Sequence, residues 1–583
     1  MRHKISILSV AAAALFAFSS CGEDFLYKAP QGSIDEEALT NAEGVELLIT
    51  AAYAGLTQDN GFENEFNWVF GGVYGGDANK GSDTNDQSVV NSIETYSLVA
   101  TNSYLLVKWE DALYGTNRCN IALNVLKNVT DMDDDTKEQR EAELKFLRCL
   151  LMFEGVKMFG DGIPYIDEET AASANDPKVY NQLGNNYELL LEDINAAIAV
   201  LPEKQTEVAR PTLTAAKALK AKILMQMGDM DSAKPILADI VENGYAVSGN
   251  KLTLQEDLNT NWSALTENGD ESIFEVQFSV GAINNGNYGF CLNYPYGTGP
   301  GGCCGFYQPS YELVNSFQVD ENGLPYLNGE YRDKASVTNL TTDGSLSEND
   351  YSIAVDPRLD FTVGRMGIPY KDWGLPTTDW IRNVSNGGPF MPKKHVFSSA
   401  ELDAGLAGSA YAWYWAPGSA MNIQYLSLRD CKLLYAECLA NDGELTAAME
   451  QVNDIRERAA NEANIIYLDD GTPAANYLVK TYPTSHAAFS DQATCIKAIR
   501  MERKLELAME GQRFFDLARW GGDYMNSELT EYLNYEKQYI SKFYGVTAPS
   551  ADKTIYPIPS TEIATAGTDE NGEYYLKQNS AWE

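Results

Sequence analysis

Apolar residues recur at three- and four-residue spacing through 43–57, 109–126, 138–159, 181–201, 211–228 and 230–243, and again through 424–441, 444–461 and 490–519. That periodicity predicts amphipathic helices in two blocks. Leu144, Leu147, Leu150, Leu151 and Phe153 cover so much of one helix that it is expected to be largely buried, and Gly160 and Pro164 stop it. Between the blocks, 245–423 is rich in Gly, Asn and Tyr and contains one convincing strand, ESIFEVQFS at 271–279, so it reads as an insertion. A polar, Gly-rich stretch at 58–92 carries Trp68, Phe70 and Tyr74, and loops of that length usually serve a purpose.

Two helical hairpins repeat at an offset of 215 residues: Ala221 matches Ala436, Leu224 matches Leu439, Gly228 matches Gly443, Ala233 matches Ala448 and Ile240 matches Ile455. The small residues let antiparallel helices approach closely, and each Gly marks the turn. The pattern resembles the tetratricopeptide repeat. Stacked hairpins build a continuous scaffold, which explains how 583 residues fold without two separate globular cores. The predicted fold class is therefore mainly α: a tetratricopeptide-like helical-repeat scaffold with a large loop-rich insertion containing minor β structure.

Composition narrows the function. An apolar content of 44% excludes a disordered acidic polypeptide, while 83 acidic against 43 basic residues, a formal charge of −40, argues against nucleic acid. Arg2 and Lys4 precede a 14-residue, largely apolar run from Ile5 to Phe18, then Ser19, Ser20 and Cys21. The run is too short to span a bilayer and has the layout of an export signal. Small residues before Cys21 resemble a bacterial lipobox, which makes Cys21 the expected lipidation site and residues 1–20 the signal peptide. Gly22, Glu23 and Asp24 resemble the surface-export signal of Bacteroidetes lipoproteins. Cys119, Cys149, Cys431 and Cys438 sit in apolar helical patterns and are expected to be buried hydrophobes. The adjacent pair Cys303 and Cys304 fits either a vicinal disulfide or two free thiols.

Several separated segments resemble one family. WEDALYGTNRCNIALNVL (109–126) and EAELKFLRCLLMFEGVKMFGDGIPYI (141–166) look like the early helices of the SusD/RagB surface lipoproteins. LRDCKLLYAECLANDGELTAAMEQVNDIRERA (428–459), IRMERKLELAMEGQRFFDLARWG (499–521) and YPIPSTEI (556–563) look like that family's C-terminal signature. Cys149 and Cys438 stand where the family commonly has Ala, Met509 and Phe514 where Phe and Trp are usual, and Ser580 where Pro is frequent. The resemblance implies a single SusD-like domain over 21–583: a helical scaffold at about 43–243 and 424–523, a ligand-binding insertion at about 245–423, and a C-terminal segment, 524–583, packed on the scaffold. It also implies capture of glycans at the outer-membrane surface and delivery to a SusC-like TonB-dependent transporter, with no covalent chemistry. Peptide ligands remain open within the family.

Family members bind sugars through an arc of aromatic rings in loops too variable to transfer position by position, so candidates rest on chemistry. A pyranose offers C–H faces and a rim of hydroxyls, which calls for flat rings bordered by planar polar groups. One loop supplies Trp68 and Tyr74 with Asp77, Asn79 and Lys80; another supplies Asn287, Tyr288, Tyr294 and Tyr296; Trp373, with Trp380 nearby, adds a third. Tyr411, Trp413, Tyr414 and Trp415 form a further aromatic run. Glu502 and Glu506 share a helical face, so a glycoside hydrolase with paired carboxylates is one alternative, although the interleaved acids and bases of 499–521 fit a structural network better. A helical-repeat adaptor that binds protein is the other alternative. Only His395 and His486 follow the signal segment, and no HExxH, Cys-x-x-Cys or GxSxG occurs. GTGPGG at 297–302 lacks the flanking strand and helix of a dinucleotide loop. No cofactor is expected beyond, at most, a structural Ca²⁺ in an acidic loop.

Overall fold

The computed structural model describes residues 36–57, 66–170, 184–280, 286–337, 352–408 and 416–583; the export segment with Cys21 and the run Tyr411–Trp415 lie outside the described residues. Helix α1 (Ala42–Thr57) packs on α2 (Ser103–Asn128), α2 on α3 (Asp134–Phe159), α3 on α4 (Asn186–Val200), α4 on α5 (Leu213–Met227) and α5 on α6 (Met230–Asn243). Each helix thus meets the next along the chain. After the insertion come α7 (Leu428–Asn441), α8 (Leu445–Ala459), α9 (Gln492–Glu506), α10 (Arg513–Arg519) and α11 (Gly522–Glu536). Helix α7 packs directly on α6 as well as on α8 and α9, so the stack continues as though the intervening segment were spliced out. This is the mainly helical repeat scaffold that the sequence pattern predicts.

Local chemistry sets these boundaries. The side chains of Asn102, Asp133, Thr212 and Asp491 accept hydrogen bonds from the first-turn amides of α2, α3, α5 and α9. Gly228 ends α5 at φ 82°, and Gly443 turns α7 into α8 at φ 78°; nothing crowds either Cα, so the left-handed backbone alone asks for glycine. Ala221, Ala233, Ala436 and Ala448 are fully buried where the hairpins touch.

Four strands tie the insertion to this scaffold: β1 (Ala78–Gly81), β2 (Ser272–Val276), β3 (Phe306–Pro309) and β4 (Ile423–Ser427). β2 and β4 pair antiparallel, Ser272 opposite Ser427 and Val276 opposite Ile423, and close the insertion at its base. β1 pairs with β3, Ala78 opposite Pro309, and draws the early Gly-rich stretch under the insertion.

Two predicted helices are corrected. The start of 424–441 is strand β4, because its alternating side chains find a partner in β2 before the helix begins. The segment 490–519 breaks between α9 and α10, where Met509 (φ 64°) and Gly511 (φ 68°) are left-handed. A Cβ on Gly511 would collide with the Phe66 carbonyl, and the buried Asp77 carboxylate accepts the Met509 N–H at 3.2 Å. Cys119, Cys149, Cys431 and Cys438 are free and buried. Cys303 and Cys304 form a disulfide across a cis peptide bond.

Candidate functional site

Eight of the ten sugar-binding candidates lie in the interior, which corrects the sequence expectation for them. Trp68 is fully buried within a π-helical turn, Trp68–Val73, its ring edge-on to Phe306 and Tyr307 at 6.1 and 5.7 Å. Tyr74 packs between Phe514 (4.8 Å) and Tyr556 (5.1 Å). The reason is the glycines around them. A Cβ on Gly71 would strike Gly511, and one on Gly72 the Tyr307 ring, so WVFGGVYGG threads the core between the α9–α10 turn and β3.

The polar candidates of that stretch are structural too. Burial pushes the Asp77 carboxyl up to about 6, against the pull of Arg513, the Met509 amide, Lys504 and Lys394. Asn79 donates to Glu536 at 2.7 Å and accepts from the Tyr532 hydroxyl at 3.2 Å. Lys80, lowered to about 8 by burial, donates to the carbonyls of Asp83 (2.9 Å), Thr84 (3.3 Å) and Asp86 (2.8 Å). It organises loop 82–86 from behind. On the insertion side, buried Asn287 donates to the Met421 carbonyl at 2.9 Å, Tyr288 is 6% exposed, and fully buried Tyr294 packs against Phe397 at 5.2 Å.

Two candidates reach solvent. Trp373 is half-buried, and its Nε1–H donates to the Phe397 carbonyl at 2.9 Å, so only part of the indole is free. Tyr296 is 37% exposed and is held from beneath: its N–H donates to the Trp380 carbonyl at 2.8 Å, while Gly299 lets the loop lie against the Trp380 ring. The Arg382 guanidinium sits 5.2 Å from the Tyr296 ring centroid and donates to Ser82 (2.9 Å) and Asp86 (2.5 Å) on the loop that Lys80 organises. Thr298 and Asp379 continue the rim. Hydrogen bonds from Thr377 and Thr298 hold the Asp379 carboxyl at about 2, so it is ionised at neutral pH and accepts hydrogen bonds only. The result is a small ledge: one flat ring fixed in place, bordered by a guanidinium, two hydroxyls and two carboxylates.

Arg382, Thr298 and Asp379 were not anticipated from sequence. The signal available was Arg382 two residues after Trp380 in DWIRN, a planar cation beside an aromatic loop.

The paired-carboxylate alternative meets a different geometry. Glu502 contacts Arg358 (2.6 Å) and Arg456 (3.0 Å), and Glu506 contacts Arg358 (3.0 Å) and Arg458, all buried. Burial alone would raise the Glu506 carboxyl, but Arg458, Arg358, Arg429 and Lys394 together bring it down to about 2. A carboxyl so held stays ionised and has no proton to give at neutral pH. A cavity of about 320 Å³ beside Trp262 also has charged side chains in its wall, Lys371, Asp372, Lys393 and Glu401. Its carboxylates already accept local amides: Glu401 caps Ser398 and Ala264, and Asp372 takes Ser399 and Ala400. Among the described residues no group of three or more His, Cys, Asp or Glu is placed to hold a metal ion.

The profile of the SusD family matches residues 270–582, more than half of the chain. A SusD-like protein of Bacteroides ovatus is 23% identical over 91% of this chain and 85% of its own length. Among solved structures, a laminarin-binding SusD-like protein superposes with a TM-score of 0.64 at 20% identity, covering 93% of this chain and 99% of the other. Surface glycan-binding protein A from Bacteroides thetaiotaomicron in complex with laminarihexaose gives a TM-score of 0.61 at 19% identity, over 92% and 99% of the two chains.

Proposed function

The chain belongs to the SusD family, and from that premise we propose that it captures an oligosaccharide or polysaccharide at the cell surface and delivers it, unaltered, to a SusC-like TonB-dependent transporter. Lipidation of Cys21 would hold it on the outer membrane. No helix among the described residues is long and apolar enough to cross a membrane, which suits attachment by a lipid. The observation that carries the binding half is the Tyr296 ledge. A ring whose N–H, loop and neighbouring cation are all fixed in advance can stack on a pyranose face with little ordering cost, while Arg382, Asp86 and Asp379 meet its hydroxyl rim. The two solved structures named above, one laminarin-binding and one in complex with laminarihexaose, support a saccharide as the ligand class.

Native gels containing single polysaccharides test this reading. The wild-type protein is expected to be retarded by at least one of them, and incubation with that glycan is expected to release no new reducing ends. Tyr296→Ala is expected to weaken the retardation about two- to thirteenfold, matching the loss of one aromatic contact worth about 0.5–1.5 kcal/mol. New reducing ends would favour a hydrolase, and indifference to every glycan would favour a protein-binding adaptor.

A further inference from the structure

The charged signature of 499–521 is not wholly consumed by the buried network. Glu502, Arg503, Glu506, Glu510, Asp516 and Arg519 pair inside the scaffold. Lys497, Arg500 and Lys504 instead line one flank of α9, at the spacing that puts side chains on a common helix face, and open into a cavity of about 300 Å³. Arg513 of α10 and Arg332 of the 330–333 turn close it from two other sides. Tyr524 of α11 supplies a flat wall.

The charges in this cavity do not balance. Arg332 and Lys504 share one carboxylate, Glu312, at 2.8 and 3.2 Å. Arg513 reaches Glu528 at 3.2 Å, and Glu531 stands 3.8 Å from Arg332. Neither Lys497 nor Arg500 has a carboxylate within ion-pair distance among the described residues. Lys497 donates to the neutral Asn328 side chain at 3.0 Å. The Arg500 guanidinium lies against the rings of Tyr524 (4.1 Å) and Trp520 (4.8 Å), and its Nε, shut away from solvent, has no acceptor among the described residues. Burial pushes Lys504 below its ordinary pKa, and the Arg513 and Arg332 cations beside it add to this, against the opposing pull of Glu312 and Glu528. A positive enclave of this kind, in a chain of formal charge −40, is where an anion would relieve repulsion. The surrounding negative charge is screened over about 8–10 Å at ordinary salt, so the enclave acts locally.

We propose that this cavity is a second ligand site, distinct from the Tyr296 ledge, that takes one sugar unit bearing an oxyanion, a carboxylate or a sulfate. The volume stands at the lower end of the range of about 300–1,000 Å³ for small-molecule sites, and a cavity of that size suits one ring-sized unit better than an extended peptide. Guanidinium forks match both oxyanions, and the Tyr524 ring offers the ring contact. The oxyanion half of the assignment rests on the cavity alone; the sugar half rests on the proposed function.

The test is calorimetric titration of the purified protein with N-acetylglucosamine 6-sulfate and glucuronic acid, each beside its neutral counterpart, N-acetylglucosamine or glucose. At least one anionic sugar is expected to bind, the neutral ones not, and Lys497→Glu and Arg500→Gln are each expected to weaken binding about tenfold or more, as loss of a charge-assisted contact requires. Lys497 is exposed, so Lys497→Glu carries the test if Arg500→Gln folds poorly. Tyr296→Ala should leave this binding unchanged, which separates the two sites. Equal binding of neutral and anionic sugars, or wild-type affinity in Lys497→Glu, would overturn the site. Inorganic sulfate or a tetraglutamate peptide competing at or below the sugar's concentration would overturn the sugar assignment, in favour of a free anion or an acidic protein segment.

Discussion

Trp68→Ala is expected to destabilise the protein by about 3–5 kcal/mol, the cost of removing a buried indole and leaving a cavity, while the folded fraction binds saccharide as the wild type does. The ring is fully buried and shares edge contacts with Phe306 and Tyr307, so its loss uncouples the 66–81 segment from β3. The same segment carries Phe70, whose backbone carbonyl accepts the Tyr556 hydroxyl at 2.6 Å, and Tyr74, which packs on Phe514. Damage at Trp68 therefore spreads toward the C-terminal signature. Urea unfolding followed by circular dichroism, with glycan retardation measured below the transition, checks both halves. A Trp68→Ala protein as stable as wild type that no longer binds would return this residue to the ligand surface.

Glu506→Ala is expected to cost a similar amount for an electrostatic reason. Glu506 stands among Arg358, Arg429 and Arg458, all buried, and removing it leaves cations in the interior without their shared counter-charge, a change that typically costs about 3–5 kcal/mol. Glu506→Gln keeps the shape and some hydrogen bonds and is expected to recover part of the loss. The pH dependence has a fixed sign. The folded carboxyl is held at about 2 against an ordinary value of 4.5, so its contribution is fully present above 4.5 and disappears as pH falls through 2. Wild type is thus expected to lose stability between pH 4.5 and 2 more steeply than Glu506→Gln, when midpoints of urea unfolding are compared across that window. Parallel pH curves for the two proteins would remove Glu506 from the network.

The scaffold was legible because its signal is local. Helical spacing, caps such as Asp133 and Asp491, and left-handed turns at Gly228 and Gly443 are all written within a few residues of where they act. The break at Met509–Gly511 was not legible, since it answers to Phe66 and Asp77, more than 400 positions earlier in the chain. The site failed for a related reason. Glycines beside aromatics in 66–81 read as a loop that offers its rings to a ligand, whereas Gly71 and Gly72 are there because another backbone and the Tyr307 ring come too close for any side chain. A single sequence does not distinguish glycine used for exposure from glycine used for close packing. Tyr296 lies at the surface because Pro295, Gly297 and Gly299 surround it without aliphatic neighbours, and its loop is pinned through the main chain and Trp380 rather than through its own ring.

Hydroxyl-radical footprinting read by mass spectrometry, with and without a saturating oligosaccharide, shows where the saccharide lands. Tyr296 should be oxidised in the free protein and protected when the sugar is bound, while Trp68, Tyr74 and Tyr294 stay silent in both states. Ready oxidation of Trp68 or Tyr74, or a Tyr296 signal unmoved at saturation, would contradict the assignment of the ledge as the place where saccharide lands.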